Sequence, residues 1–153
     1  MRAFIFPGQG SQAVGMGVGL AEASAEARAV FEEVDEALGQ HLFRLMAEGP
    51  IEELTLTENA QPALMATSIA ALRALEAEGV EVTSAAYVAG HSLGEYSALC
   101  AAGTFAVTDA ARLLRQVRLI IIAVENVLDR PADRGAIVAG REVRGAADDP
   151  RRR

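Results

Sequence analysis

Residues 90–94 read Gly-His-Ser-Leu-Gly, one hydroxyl held between two glycines. A serine so placed can act as a nucleophile, taking an acyl group into a covalent ester and handing it to a second acceptor. That chemistry needs Ser92 on a sharp strand-to-helix turn, with its hydroxyl projecting from the end of the strand. Strand and helix then pass close together, and side chains two positions to either side would collide; Gly90 and Gly94 remove them. A helix opening at Leu93 aims free N–H groups and the positive end of its dipole at the place where an oxyanion develops. The pentapeptide alone is a weak signal, since at ordinary glycine and serine usage it arises by chance in roughly 5% of chains this long. The competing reading is a buried serine in a tight turn.

A serine nucleophile needs a base, and the chain has two histidines. His91 adjoins Ser92, so strand alternation turns it to the other side; it is expected to pack or hydrogen-bond in support of the turn. His41 falls on an acidic amphipathic segment and is expected at or near the surface. Glu95 could orient the turn, but a lone carboxylate is a poor base for a serine. The single Cys100 excludes an internal disulfide and a cysteine-rich metal site. In the run ALCAAG it reads as a small core residue, and no metal site is expected.

The flanking sequence supplies the elements this turn requires. RAFIF (2–6) is a short apolar run stopped by Pro7-Gly8 and reads as a first buried strand, followed by a glycine-rich loop. Ser24 is placed to cap a helix running to about Leu38, whose Ala27, Val30, Phe31, Val34 and Leu38 form one apolar face. A short helix is expected from His41 to Glu48, and another opening with Pro50 as its first residue. The strongest helical pattern spans roughly 60–78, with Leu64, Thr67, Ala71, Leu72 and Leu75 as its buried stripe. Residues 85–90 read as a second buried strand, followed by a helix from Leu93 to about Ala102. Thr108 with Asp109 reads as the cap of a further helix beginning near Ala110, and GAIVAG (135–140) as a third strand. Strands separated by helices imply an α/β fold, a parallel sheet flanked by helices. No internal repeat is present.

A chain of 153 residues, 51% apolar, has ample material for one domain. Its apolar runs are shorter than the roughly 20 residues that span a bilayer, and the N-terminal run is too short for a signal peptide; a cytoplasmic location and no membrane contact are expected. Residues 1–110 carry 4 Arg and 15 acids, a net of −11, whereas residues 111–153 carry 10 Arg and 6 acids, a net of +4. The acidic body argues against nucleic acid as a partner. After about Gln116 the pattern loses its caps. Three segments are therefore expected: 1–115, a divergent helix/strand stretch at 116–140, and a disordered tail at 141–153.

Three stretches, FPGQGSQAVGMG (6–17), TENAQPALMATSIAALRA (57–74) and GHSLGEYSALCAAG (90–103), together resemble the malonyl-CoA:acyl carrier protein transacylases. These are bacterial enzymes of fatty acid synthesis related to the acyltransferase domains of polyketide synthases. The resemblance covers about residues 1–115, and three motifs in the right order make it specific. It implies that Ser92 takes malonyl from coenzyme A and passes it to the phosphopantetheine thiol of acyl carrier protein. It implies an oxyanion hole from the backbone N–H groups of Gln9 and Leu93, and no cofactor beyond the coenzyme A thioester used as substrate. It also explains the glycines at 8 and 10, which let backbone approach the acyl oxygen; GQGSQAVG lacks the GxGxxG spacing of a phosphate loop.

Two departures from that family are visible. Its histidine base and its smaller ferredoxin-like subdomain belong to later segments, so the chain reads as part of the large subdomain, truncated before both, and weak activity is expected of it. The family's arginine for the malonyl carboxylate, usually in an Arg-Gly pair, has Arg118 as its nearest candidate, followed here by Leu119 and displaced by one position. One residue turns a helical side chain by about 100°, enough to lose a bidentate clamp. Two other functions stay open. A serine hydrolase of the α/β-hydrolase kind shares the GxSxG, but should carry an acid and then a histidine after the serine. A non-catalytic fragment would bind carrier protein or another partner through uncovered apolar surface.

Overall fold

The computed structural model describes residues 2–125, with side chains over 2–116. The expectations for 135–140 and 141–153 lie outside the described residues. The elements run β1 (Ala3–Phe6), α1 (Val18–Ala23), α2 (Ala25–Leu38), α3 (Leu42–Glu48), α4 (Ile51–Thr55), α5 (Thr57–Ala77), a 3-10 turn at Val82–Ser84, β2 (Tyr87–Gly90), α6 (Leu93–Ala101) and α7 (Val107–Glu125). This is the expected α/β arrangement, with β1 and β2 parallel in the register Ala3↔Tyr87 to Phe6↔Gly90.

Helix α5 is the hub, packing against every other α-helix described. Its first half is therefore buried nearly all round, from Asn59 to Ala66 and again at Ile69, Ala70 and Leu72. The single stripe read from the sequence is too narrow there and misplaced further on: Leu64 and Leu72 are buried, Thr67 and Ala71 are only half-buried, and Leu75 is 44% exposed. Phe31, Val34 and Val30 of α2, Met65 and Ile69 of α5, and Leu114 of α7 lie in one continuous core with Leu42, Met46 and Leu54. The Phe31 ring stacks on Phe43, with centroids 4.5 Å apart.

Local chemistry sets the helix ends. The Ser24 hydroxyl accepts from the Ala27 N–H at 3.1 Å, the expected cap of α2, an interaction that contributes about 1 kcal/mol in comparable helices. Gly39, at φ 58°, ends α2. The Asp35 carboxylate then accepts from the Phe43 N–H at 2.9 Å and ties α2 to α3. Burial pushes this carboxyl above its usual range, and the N–H bonds from Phe43 and Leu42 oppose that rise. A polar chain joins four segments: Arg115 of α7 donates to Gln40, Gln40 donates to Asn59 of α5, and Asn59 donates to the Glu53 carbonyl of α4. Two expected starts are displaced. Pro50 is the cap before α4 rather than its first residue. Helix α7 begins at Val107, three residues ahead of Ala110, because the Val107 side chain is buried in the core; Thr108 and Asp109 lie in its first turn.

The strands depart from expectation in burial. Phe4, Phe6 and Val88 pack with Leu72, Val82, Ala98 and Ala101. The opposite face, with Ala3, Ile5, Tyr87 and Ala89, is exposed, Ile5 at 78% and Tyr87 at 55%. Continuous apolar strands of this kind are usually covered on both faces; here the described helices cover one. The second strand is also shorter than read: it begins at Tyr87, and Ala85 instead closes the 3-10 turn at 82–84.

Phe31→Ala is expected to lower unfolding free energy by about 3–5 kcal/mol, read from urea denaturation. Leu75→Ala, at a position the sequence pattern alone would bury, is expected to cost about 0.5 kcal/mol or less. Equal costs at the two positions would contradict the core described here.

Candidate active site

Strand β2 ends at Gly90 and helix α6 begins at Leu93, so His91 and Ser92 alone reverse the chain. Ser92 has φ 56° and ψ −122° and is the only non-glycine residue with positive φ among those described. Such a conformation costs a residue with a Cβ about 1–3 kcal/mol and persists only where its surroundings over-determine it. Three backbone bonds do so. The His91 N–H donates to the Phe6 carbonyl at 3.3 Å, the Gly94 N–H to the His91 carbonyl at 2.9 Å, and the Glu95 N–H to the Ser92 carbonyl at 3.0 Å.

The two glycines explain how the crossing closes. A Cβ on Gly90 would overlap the Gly94 carbonyl group, and a Cβ on Gly94 would overlap the Phe6 carbonyl and come within 2.7 Å of the Pro7 oxygen. The ends of β1 and β2 and the start of α6 therefore meet backbone to backbone. Gly8 adds a fourth segment: a Cβ there would stand 3.2 Å from His91 Nδ1 and 3.7 Å from the Ser92 Cβ. The loop after β1 is thus packed directly on the turn that carries the serine, and Gln9 is its next residue.

Ser92 is exposed, and its hydroxyl caps nothing in α6. Leu93 buries its side chain in the core while its N–H occupies the first turn of α6, where a helix supplies no acceptor of its own. Gln9 is exposed, and its side-chain oxygen accepts from the Gln61 amide at 3.5 Å. His91 is exposed beside Gly8, and His41 is the exposed residue preceding α3. Among the described residues neither histidine hydrogen-bonds the Ser92 hydroxyl. Glu95 meets Ser92 through its backbone N–H rather than its carboxylate. Arg118 lies on α7 beyond the side chains described. Sequence reasoning misses Gln61, because it follows Thr57, Glu58 and Asn59 at the polar start of α5 and nothing local marks it as buried. Cys100 is buried, and burial pushes its thiol up to about 11. It is a neutral packing group at ordinary pH, whereas the Ser92 hydroxyl is exposed. The described residues contain no metal-binding cluster and no helix long and apolar enough to cross a membrane.

A parallel strand, a serine at strained positive φ and a helix N-terminus define an α/β protein with a nucleophile elbow, the arrangement used for acyl chemistry at serine. Residues 3–133 match the acyl transferase domain family, and the chain belongs to it. It is 52% identical over 114 residues to the malonyl CoA-acyl carrier protein transacylase of Bacillus subtilis strain 168, covering 74% of this chain and 35% of that protein. It is 46% identical over 112 residues to the enzyme of the same name from Escherichia coli K12, covering 73% and 36%. Among solved structures, the acyl-carrier-protein S-malonyltransferase of Bartonella henselae matches with 62% identity and a TM-score of 0.73, over 75% of this chain and 37% of that one. A malonyl-transacylase solved in complex with a type II polyketide acyl-carrier protein matches with 43% identity and a TM-score of 0.73, over 79% and 39%. The chain thus spans about a third of the length of the curated relatives it matches.

Two outcomes check this site. Ser92→Gly is expected to raise unfolding free energy by about 1 kcal/mol through relief of strain, while Gly94→Ala loses about 1–3 kcal/mol or more through overlap with backbone; a destabilised Ser92→Gly would contradict the strained turn. For Cys100, thiolate absorbance is expected to rise near pH 11 in the folded protein and near 9.0 in urea. Because the folded value is the higher one, the stability linked to this thiol is complete below pH 9.0 and is lost as pH climbs through about 11.

Proposed function

We propose that this chain carries the serine centre of a malonyl-CoA:acyl carrier protein transacylase, acting in fatty acid synthesis. The observation that carries the reading is the exposed Ser92 held at positive φ at the N-terminus of α6, with the Gly8–Gln9 loop packed against it. In the first half-reaction Ser92 Oγ attacks the thioester carbonyl of malonyl-CoA and gives up its proton to a base. The tetrahedral oxyanion is received by the N–H groups of Gln9 and Leu93, fixed dipoles that need no reorganisation as charge develops. The C–S bond breaks, the coenzyme A sulfur leaves and is protonated, and malonyl remains as an ester on Ser92. In the second half the carrier protein's phosphopantetheine thiol attacks that ester, and Ser92 Oγ recovers its proton. No group beyond the thioester is consumed, and no cofactor is required by this chemistry. The names of the relatives, and the solved complex of one neighbour with an acyl-carrier protein, support malonyl-CoA and carrier protein as the two partners.

Neither His91 nor His41 engages the serine, so the described side chains leave it without a histidine base. Loss of a general base typically removes about 10²–10⁴-fold of rate, but the contribution of an oxyanion hole survives it. The 153-residue chain is therefore expected to accumulate malonyl-Ser92 slowly from malonyl-CoA and to transfer it poorly to carrier protein. Intact-mass and peptide mass spectrometry, with Ser92→Ala as control, check this. Labelling that is absent, or that persists in Ser92→Ala, would sink the assignment of Ser92. Turnover as fast as that of the full-length relatives would show that a base acts from a position not identified here.

A further inference from the structure

Three polar side chains are buried among the described residues: Asn59, Gln61 and Ser97. Asn59 is committed to the helix framework, accepting from Gln40 and donating to the Glu53 carbonyl. The Ser97 hydroxyl has no partner. Gln61 differs from both. It is 7% exposed and sits on the central helix α5, yet its amide reaches across 52 positions of sequence to donate to the side-chain oxygen of Gln9. Burying an amide costs free energy unless it is bonded, and this amide is directed at the one loop that packs on the Ser92 turn.

We infer that Gln61 is a positioning residue for acyl transfer at Ser92, clamping Gln9 so that the Gln9 backbone N–H stays aimed at the acyl oxygen. The inference rests on the reading that Ser92 is acylated and that Gln9 and Leu93 supply the oxyanion hole. The geometry favours such a clamp. The loop that follows β1 carries glycines at 8 and 10, and Gly10 has φ 125°, open to few other residues. The Gly10 N–H donates to the Gln12 side-chain oxygen at 3.2 Å, which holds the backbone on one side of Gln9 but not the Gln9 side chain. Its neighbour Gly8 lies so close to the turn that an added Cβ would stand 3.2 Å from His91, so the remaining freedom is at Gln9 itself. The Gln61 amide restrains that freedom from a rigid element, because Pro62 beside it is among the most deeply buried side chains. The bond is long, 3.5 Å, as catalytic-site hydrogen bonds commonly are before substrate arrives. A clamp acting this way changes the transition state more than the bound substrate, because the oxyanion exists only in the former.

The test is single-turnover acylation of the whole chain by malonyl-CoA, followed by intact mass across substrate concentrations, for wild type, Gln61→Leu, Gln9→Ala and the double variant. Gln61→Leu keeps the apolar volume and removes the donor. It is expected to lower the maximal acylation rate about 10–100-fold with the half-saturating concentration unchanged. Gln9→Ala is expected to give the same loss, and the double variant no more than either alone, since both remove one interaction. Gln61→Glu adds a readout that packing alone would not move: its protonated form can donate to Gln9 and its ionised form cannot, so its rate relative to wild type should recover as pH falls. Unchanged rates in Gln61→Leu, multiplicative losses in the double variant, or no pH-dependent recovery in Gln61→Glu would overturn the clamp while leaving Ser92 acylation intact. Failure of wild type to label at all would overturn the acylation reading and the clamp with it.

Discussion

The structure turns on a single crossing, where the ends of β1 and β2 and the start of α6 meet with no side chain between them. Gly90 faces the Gly94 carbonyl and Gly94 faces the carbonyls of Phe6 and Pro7, so neither position has room for a Cβ. This contact forces the two-residue reversal, and the reversal places Ser92 at a φ that serine avoids. The strain of about 1–3 kcal/mol is offset nearby. Leu93, one residue on, buries its side chain in the helical core, which contributes about 1.5–3 kcal/mol for a leucine. A strained turn at the surface is thus fastened by ordinary packing beneath it.

That packing is unevenly distributed. Helix α5 gathers α2, α6 and α7 around it and places a dense helical layer on one side of the two strands. The other side keeps Ile5 and Tyr87 in contact with water. A parallel pair with one open face is unusual for the α/β class, and the solved relatives continue well beyond the region matched here, this chain covering 37% of one and 39% of another. The elbow does not depend on that open face. Its hydrogen bonds run between Phe6 and His91 and within residues 91–95, and its support comes from the helical side.

What was legible in the sequence divides along the same line. The elbow was legible because its demands are local: a residue type at each of five positions and a change of period from strand to helix. The Ser24 cap was legible for the same reason. The strands were recognised as strands, but their burial was not readable, because the apolar run AFIF is the same whether one face or both are covered. The stripe on α5 was misjudged because a helix surrounded by other helices has no solvent face to keep the pattern periodic. Thr108 and Asp109 have the composition of a cap, yet α7 starts where Val107 finds the core. Gln61 went unnoticed since its partner is Gln9, and nothing in either segment announces the other. The nucleophile reading of Ser92 and the N–H donors at the Leu93 helix start came from spacing, whereas the part given to Gln9 and the malonyl group came from resemblance to a family.

The electrostatics of the site follow from how the charges are disposed. The first 110 residues carry a net of −11, a poor background for an anionic acyl donor. Of the α7 arginines described, Arg112 donates to the Ala37 carbonyl and Asp109, and Arg115 donates to Gln40. Both face the α2 side of the fold and are engaged in holding helices together. Around Ser92 itself the described side chains supply no cation in hydrogen-bonding contact. What remains near the hydroxyl is backbone: the first N–H groups of α6 and the loop of residues 8–10. Fixed peptide dipoles of this kind suit a charge that is transient, because they favour the oxyanion when it forms without holding a permanent anion at the site. On the proposed reading this division is functional. Backbone held by glycine contacts and by Gln61 serves the reacting carbonyl, while the described arginines of α7 serve the helical framework.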